Sequence, residues 1–207
     1  MKDETPIRAV IFDYGGVLAE EGFRRGLKHI ARENGLDPEA FFALAVEEIF
    51  RTGYVTGECG ESVWWQALRD RAGIRGADAE LRREILERFQ LRPDVMALAD
   101  DLKARGFQLG VLSDQTDWLD ELDARDGIFR HFDVVLNSFH EHDSKQNHSF
   151  FRLILERMGV EPGQAVFIDD NEGNVQRARE VGLAAIFYTS REAAAQVLGE
   201  VLPEPSG

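Results

Sequence analysis

Four short apolar runs punctuate the chain, and each stops at a polar residue. Ile7–Phe12 (IRAVIF) stops at Asp13, Phe107–Leu112 (FQLGVL) at Ser113-Asp114, Phe132–Leu136 (FDVVL) at Asn137-Ser138, and Ala165–Ile168 (AVFI) at Asp169-Asp170. Runs this continuous suit strands buried on both faces, as in a parallel sheet. Between them, apolar positions recur at helical spacing. Val95, Leu98, Ala99 and Leu102 follow Pro93, whose missing N–H costs little in a first turn. Phe150, Phe151, Ile154, Leu155 and Met158 make a second face, and Val175, Ala178 and Val181 make a third that Gly182 closes. This alternation predicts an α/β, doubly wound (Rossmann-like), mostly parallel sheet with right-handed crossovers. Ligands of such sheets sit beyond the C-terminal strand ends, where Asp13, Ser113 and Asp169-Asp170 would gather.

Residues 20–91 carry no comparable strand signal. Asp37-Pro38 reads as an N-cap and first-turn proline opening a helix over Phe41–Ile49. Leu81, Ile85 and Phe89 recur at helical spacing, with opposite charges at Arg83–Glu87 and Glu84–Arg88. The expected layout is a core of residues 1–19 and 92–207 with a helical cap at 20–91. That cap is placed to cover a site at the strand ends. Its aromatics Phe41, Phe42, Phe50, Tyr54, Trp64 and Trp65 are expected mostly in the cap's own core, with one or two lining a substrate pocket.

Composition narrows the partners. The 207 residues carry a net charge of −14, which disfavours nucleic acid and anionic membranes. Residues 19–91 hold 11 bases and 14 acids, so most of the excess lies in the remainder. Asp114–Asp126 alone has six acids, which reads as a carboxylate-rich surround for the site. The unbroken apolar runs fall far short of the ~20 residues of a membrane span, and MKDETPIRAVIFDYGGVL lacks the pattern of a signal peptide. A single cysteine, Cys59, excludes an intrachain disulfide and fits a reducing compartment. A cytoplasmic monomer or homodimer is expected.

The chemistry concentrates at the run ends. Asp13-Tyr14-Gly15-Gly16 places a carboxylate before glycines whose N–H groups can approach an anion. Asp13 and the Asp169-Asp170 pair would repel one another without a cation, and Mg²⁺ suits such oxygen ligands. Of four lysines, Lys2, Lys28, Lys103 and Lys145, only the last lies in a predicted loop after a strand. Each signal alone has a plainer reading: a turn at Asp13, a helix N-cap at Asp169-Asp170-Asn171, a turn cap at Ser113, a solvated lysine at 145. His140, His142 and His148 cluster beside Lys145, where a polar loop is the plainer reading than a transition-metal site. Cys59 shows no neighbouring base, and no Gly-x-Gly-x-x-Gly fingerprint follows the first strand.

Taken in order, these elements resemble the haloacid dehalogenase superfamily, specifically its phosphatases with a helical cap after the first strand. Asp13-Tyr14-Gly15-Gly16-Val17 is similar to the first motif, Ser113 to the second, Lys145 to the third, and Phe167-Ile168-Asp169-Asp170-Asn171 with Asn174 to the fourth. The resemblance implies an Mg²⁺-dependent hydrolase of small phosphorylated metabolites working through an aspartyl-phosphate on Asp13. It assigns the phosphoryl oxygens to Ser113 and the N–H groups of Tyr14, Gly15 and Asp114, and charge compensation to Lys145. Metal would fall to Asp13, Asp170 and the Gly15 carbonyl, with Asp169 and Asn174 acting behind them or through water.

Two departures stand out. The aspartate that the family uses as general acid and base is Gly15 here, and such catalysis is worth roughly 10²–10⁴-fold. Turnover is therefore expected to be slow or selective for good leaving groups, unless Glu20, Glu21, Asp114 or Glu58 substitutes. The lysine motif reads His142-Asp143-Ser144-Lys145-Gln146-Asn147-His148 instead of Gly-x-x-Lys-Pro. Both departures leave room for a non-catalytic phosphate- or partner-binding protein. A metal-independent 2-haloacid dehalogenase is the lesser alternative, disfavoured by the Asp169-Asp170 pair.

Overall fold

The computed structural model describes residues 6–202; Lys2 and the outermost ends of the expected core segments lie outside them. Among the described residues the first element is β1 (Ala9–Phe12), followed by helices α1 (Gly22–Glu33), α2 (Pro38–Arg51), α3 (Glu61–Ala72) and α4 (Asp78–Leu86). Then come α5 (Pro93–Ala104), β2 (Gln108–Ser113), α6 (Trp118–Asp126), β3 (Val134–Asn137) and α7 (Ser138–Glu141). The last elements are α8 (His148–Met158), β4 (Ala165–Asp169), α9 (Glu172–Val181), β5 (Ala184–Phe187) and α10 (Arg191–Val201).

The strands form one sheet in the order β3-β2-β1-β4-β5. Every pairing is parallel, so the sheet is wholly rather than mostly so. The four apolar runs are β1 to β4. The fifth strand, AAIF, is short and alanine-rich, and gives little β signal. Alternate side chains feed two cores. Val10, Phe12, Leu109, Val111, Val166 and Ile168 join α5, α6 and α10 on one face. Ala9, Ile11, Leu112, Leu136 and Phe167 join α8 and α9 on the other.

The four helices after β1 pack mainly on one another, and side chains of α3 also meet α6. Asp37 caps α2, its carboxylate accepting the Ala40 N–H at 2.8 Å, with Pro38 in the first turn. Helix α4 stops at Leu86, so Phe89, expected on its face, lies just past its end. The two chain passages joining this block to the sheet run side by side. Glu20 N–H donates to the Gln90 carbonyl (2.8 Å) and Arg92 N–H to that of Leu18 (2.9 Å). Tyr54, Trp64 and Trp65 meet Trp118 of α6 with ring centroids 5.8, 5.8 and 6.1 Å away. Each such pair adds roughly 0.5–1.5 kcal/mol beyond its buried area. The Tyr54 hydroxyl donates to Asp117 (2.6 Å), and the Trp118 indole to Glu61 (2.9 Å). Among the described residues no helix is long and apolar enough to cross a membrane.

Candidate active site

Parallel pairing brings the polar run ends to one edge of the sheet. Asp13 continues the β1 ladder, its N–H donating to the Ile168 carbonyl at 2.8 Å. Ser113 ends β2 and Asp169 ends β4, on either side of it. Lys145, only 2% exposed, bridges the gap: its Nζ lies 2.8 Å from Asp13 Oδ1 and 2.8 Å from Asp169 Oδ2. Asp169 is fully committed. Its Oδ1 accepts the Asn171 N–H (2.7 Å), and its Oδ2 also accepts the Asn174 amide (3.0 Å). Asp114 Oδ1 accepts the Lys145 N–H at 2.8 Å.

One ammonium thus faces several acids. Burial pushes the Asp13 carboxyl well above the usual range against the pull of Lys145, and neighbouring Asp169 pushes it further. Burial also raises Asp114, and burial with Asp169 raises Asp170. For Lys145 burial works against the charge, but Asp13, Asp169 and Asp114 more than offset it and the ammonium is held above its ordinary value. Oxygens of Asp13, Asp169 and Asp170 all lie within 4.8 Å of one another, the one such metal-suited group among the described residues. Gly16 permits this approach. It has φ +84°, and a Cβ there would stand 2.1 Å from Asp170 Oδ2. An all-carboxylate donor set left short of positive charge fits a hard divalent cation such as Mg²⁺. Asp13, Asp169 and Asp170 could hold it, Asp169 being also engaged by Lys145 and Asn174.

The altered lysine loop is organised from within. Asp143 accepts the Ser144 N–H and the Asn147 amide, both at 2.8 Å, and the Ser149 hydroxyl at 2.5 Å. Arg177 of α9 then pins it, Nε donating to the Lys145 carbonyl and Nη2 to Asn174 Oδ1, both at 2.6 Å. Arg177 and Gln146 line the site and were not apparent from the sequence. The available signal was that Arg177 sits three residues after Asn174, one turn along the same helix face.

A cavity of about 330 Å³ opens over these residues. Asp13, Gly15, Ser113, Asp114, Lys145, Asp170 and Asn174 line its polar side; Phe23, Val46, Ile49, Phe50 and Val55 give it an apolar wall. Tyr14 does not reach it. Its ring is buried and stacked on Phe89 (5.7 Å), and its N–H donates to Asp13 Oδ1 at 2.7 Å, so an aromatic side chain is kept out of the charged site. Of the six aromatics singled out, Phe50 alone lines the cavity.

The acid run after Ser113 is not a surround for the site. Asp114 alone lines the cavity. Asp117 binds Tyr54, Asp120 pairs with His140 (2.8 Å), Glu121 with Arg82 (3.1 Å), and Asp126 with Arg125 (2.6 Å). Asp123 accepts the Phe129 N–H (2.7 Å). Helix α6 turns these side chains away from the strand ends. The clustered histidines also part company: His140 binds Asp120, His142 the Thr56 carbonyl (2.9 Å) and His148 Glu180 (2.9 Å). Cys59 is a free, half-buried thiol.

A family model described as haloacid dehalogenase-like hydrolase matches residues 7–182, and the chain belongs to that family. Bifunctional epoxide hydrolase 2 of Rattus norvegicus is 26% identical over 218 residues, covering 94% of this chain and 39% of that protein. The chain thus spans about two fifths of the length of such relatives. Phosphoglycolate phosphatase of Escherichia coli (strain K12) is 28% identical over 100 residues, covering 48% of this chain and 40% of that one. Among solved structures, a HAD family enzyme of Bacteroides thetaiotaomicron superposes with a TM-score of 0.75 at 20% identity, covering 94% of this chain and 99% of that one. The same enzyme in complex with magnesium and inorganic phosphate gives 0.67 at 19% identity, covering 88% and 94%. L-2-haloacid dehalogenase of Xanthobacter autotrophicus gives 0.66 at 21%, covering 95% and 85%. At these identities the likeness establishes the shared fold.

Proposed function

We propose that this hydrolase cleaves small phosphomonoesters with Mg²⁺ and forms an aspartyl-phosphate on Asp13. The observation that carries the reading is the buried contact of Asp13, Lys145 and Asp169 beside Asp170, at the floor of a small cavity. A carboxylate that attacks carbon needs no second acidic pair; one that attacks a phosphoryl group must bring two negative partners together. Asp13, Asp170 and the Gly15 carbonyl would hold the cation, which when bound screens the phosphoryl charge. Asp13 attacks phosphorus and the ester oxygen departs; water then releases phosphate and restores the carboxylate. Lys145 offsets charge on the phosphoryl oxygens, with Ser113 and the N–H groups of Gly15 and Asp114 as donors. The phosphate charge is received at the polar floor, and the leaving group faces Phe23, Ile49, Phe50 and Val55. A small, partly apolar phosphorylated metabolite fits that division, and 330 Å³ lies at the small end of ligand sites.

The test is hydrolysis of p-nitrophenyl phosphate and a panel of metabolite phosphates, with Mg²⁺ and with EDTA, beside Asp13→Asn. Mg²⁺-dependent phosphate release lost in Asp13→Asn is expected. Halide release from 2-chloropropionate without metal would overturn the reading, and inertness across the panel would favour a phosphate-binding role.

A further inference from the structure

Position 15 lacks a proton-bearing side chain, yet the space before it is occupied. A Cβ on Gly15 would stand 3.3 Å from the Phe89 ring and 3.9 Å from Glu21 Oε1. Phe89 is fully buried against Tyr14, so an aspartate at 15 would crowd it. A carboxyl group is nevertheless present beside that position, and it belongs to Glu21. Glu21 lines the same cavity as Asp13, Ser113, Lys145 and Asp170. It sits at the N-cap of α1, where its Oε1 accepts a long hydrogen bond of 3.4 Å from the Arg24 N–H, with the Phe23 N–H also facing the carboxylate. The other candidate acids lie outside the cavity or, like Asp114, are already engaged within it. Glu20 pairs with Arg25 (2.8 Å) and Arg92 (3.5 Å) outside the cavity. Glu58 folds over the Gly53 turn beside Thr56. Asp114 is held by the Lys145 N–H.

Resting on the phosphatase reading, we propose that Glu21 is the general acid and base, reaching from the helical block into the place that an aspartate at 15 would serve. As Asp13 forms its bond to phosphorus, the bond from phosphorus to the ester oxygen breaks. The departing oxygen keeps the electron pair and takes the Glu21 proton, leaving as an alcohol. In the second step water oxygen bonds to phosphorus and gives a proton to the Glu21 carboxylate. The bond from phosphorus to Asp13 breaks, returning its electron pair to that carboxylate. One water is consumed, and alcohol and phosphate are released.

Acid help matters for alkoxide leaving groups and little for p-nitrophenolate, whereas base help matters for every ester. Glu21→Gln with Mg²⁺ should therefore release p-nitrophenol in a burst of about one equivalent per site, then turn over slowly. On an alkyl phosphate its kcat/KM should fall about a hundredfold or more. Glu21→Asp, which keeps a carboxyl at the helix cap, should recover part of the alkyl activity, and unchanged thermal melting would separate these effects from misfolding. If the wild type turns over both esters and Glu21→Gln lowers both equally without a burst, or neither, Glu21 is not the acid. A burst in Asp114→Asn and none in Glu21→Gln would overturn the assignment too. A wild-type chain inert on every ester overturns the phosphatase reading itself.

Discussion

The molecule buries acidic charge in two places and treats it oppositely. At the sheet edge, one buried ammonium, Lys145, stands between Asp13 and Asp169 with Asp114 and Asp170 nearby. In the helical block, one buried carboxylate, Glu48, meets two guanidiniums, Arg51 and Arg71, at 2.5 Å each, and both arginines reach solvent. Those hydrogen bonds, against the cost of burial, hold the Glu48 carboxyl down to about 2. The acids Asp13, Asp114 and Asp170 are instead pushed up. One cluster is satisfied by the fold, and the other is left short of positive charge. A shortfall kept at the strand ends, beneath a cavity, is what the proposed cation would relieve.

Each cluster can be dismantled by substitution. Removing the nucleophile gives the largest effect: Asp13→Asn should lower phosphate release on the order of 10⁴-fold or more, measured with p-nitrophenyl phosphate at saturating Mg²⁺. Lys145→Met should lower kcat about 10²–10³-fold. Because it strands two buried carboxylates, it should also cost about 3–5 kcal/mol in denaturant unfolding. Mg²⁺ should raise the melting temperature of the wild type and hardly that of Asp170→Asn, read by calorimetry across a Mg²⁺ titration. Glu48→Gln should leave turnover little changed and lower the melting temperature at neutral pH by a few degrees. Its sign with pH is fixed. The folded Glu48 value, about 2, lies below the unfolded 4.5, so its contribution is complete above 4.5 and is lost as pH falls toward 2. The gap between wild type and Glu48→Gln should close over that window.

Most of the sheet was legible because its strands are buried on both faces and end at polar residues. Asp13, Ser113 and Asp169 could be named since each sits at or just after such an end, and Lys145 since it alone of the lysines falls in a predicted loop after a strand. Strand β5 was not legible, being a short alanine-rich segment carried by its neighbour β4. Helix α6 was masked by its own acids, whose partners, Tyr54, Arg82 and His140 among them, are remote in sequence. For the same reason the acid run was expected around the site, although only Asp114 faces it. Choosing Glu21 over Glu20 or Glu58 needed the path of the chain from Gly15 into α1. No periodicity encodes that path.

In the proposed reaction water attacks phosphorus and never the Asp13 carboxyl carbon. Turnover of p-nitrophenyl phosphate in heavy-oxygen water, followed by mass spectrometry of the phosphate and of the Asp13 peptide, tests it directly. Heavy oxygen is expected in the released phosphate and none in Asp13. Heavy oxygen in the Asp13 carboxylate would mean attack at the carboxyl carbon, as in carbon-centred displacement, and would contradict it.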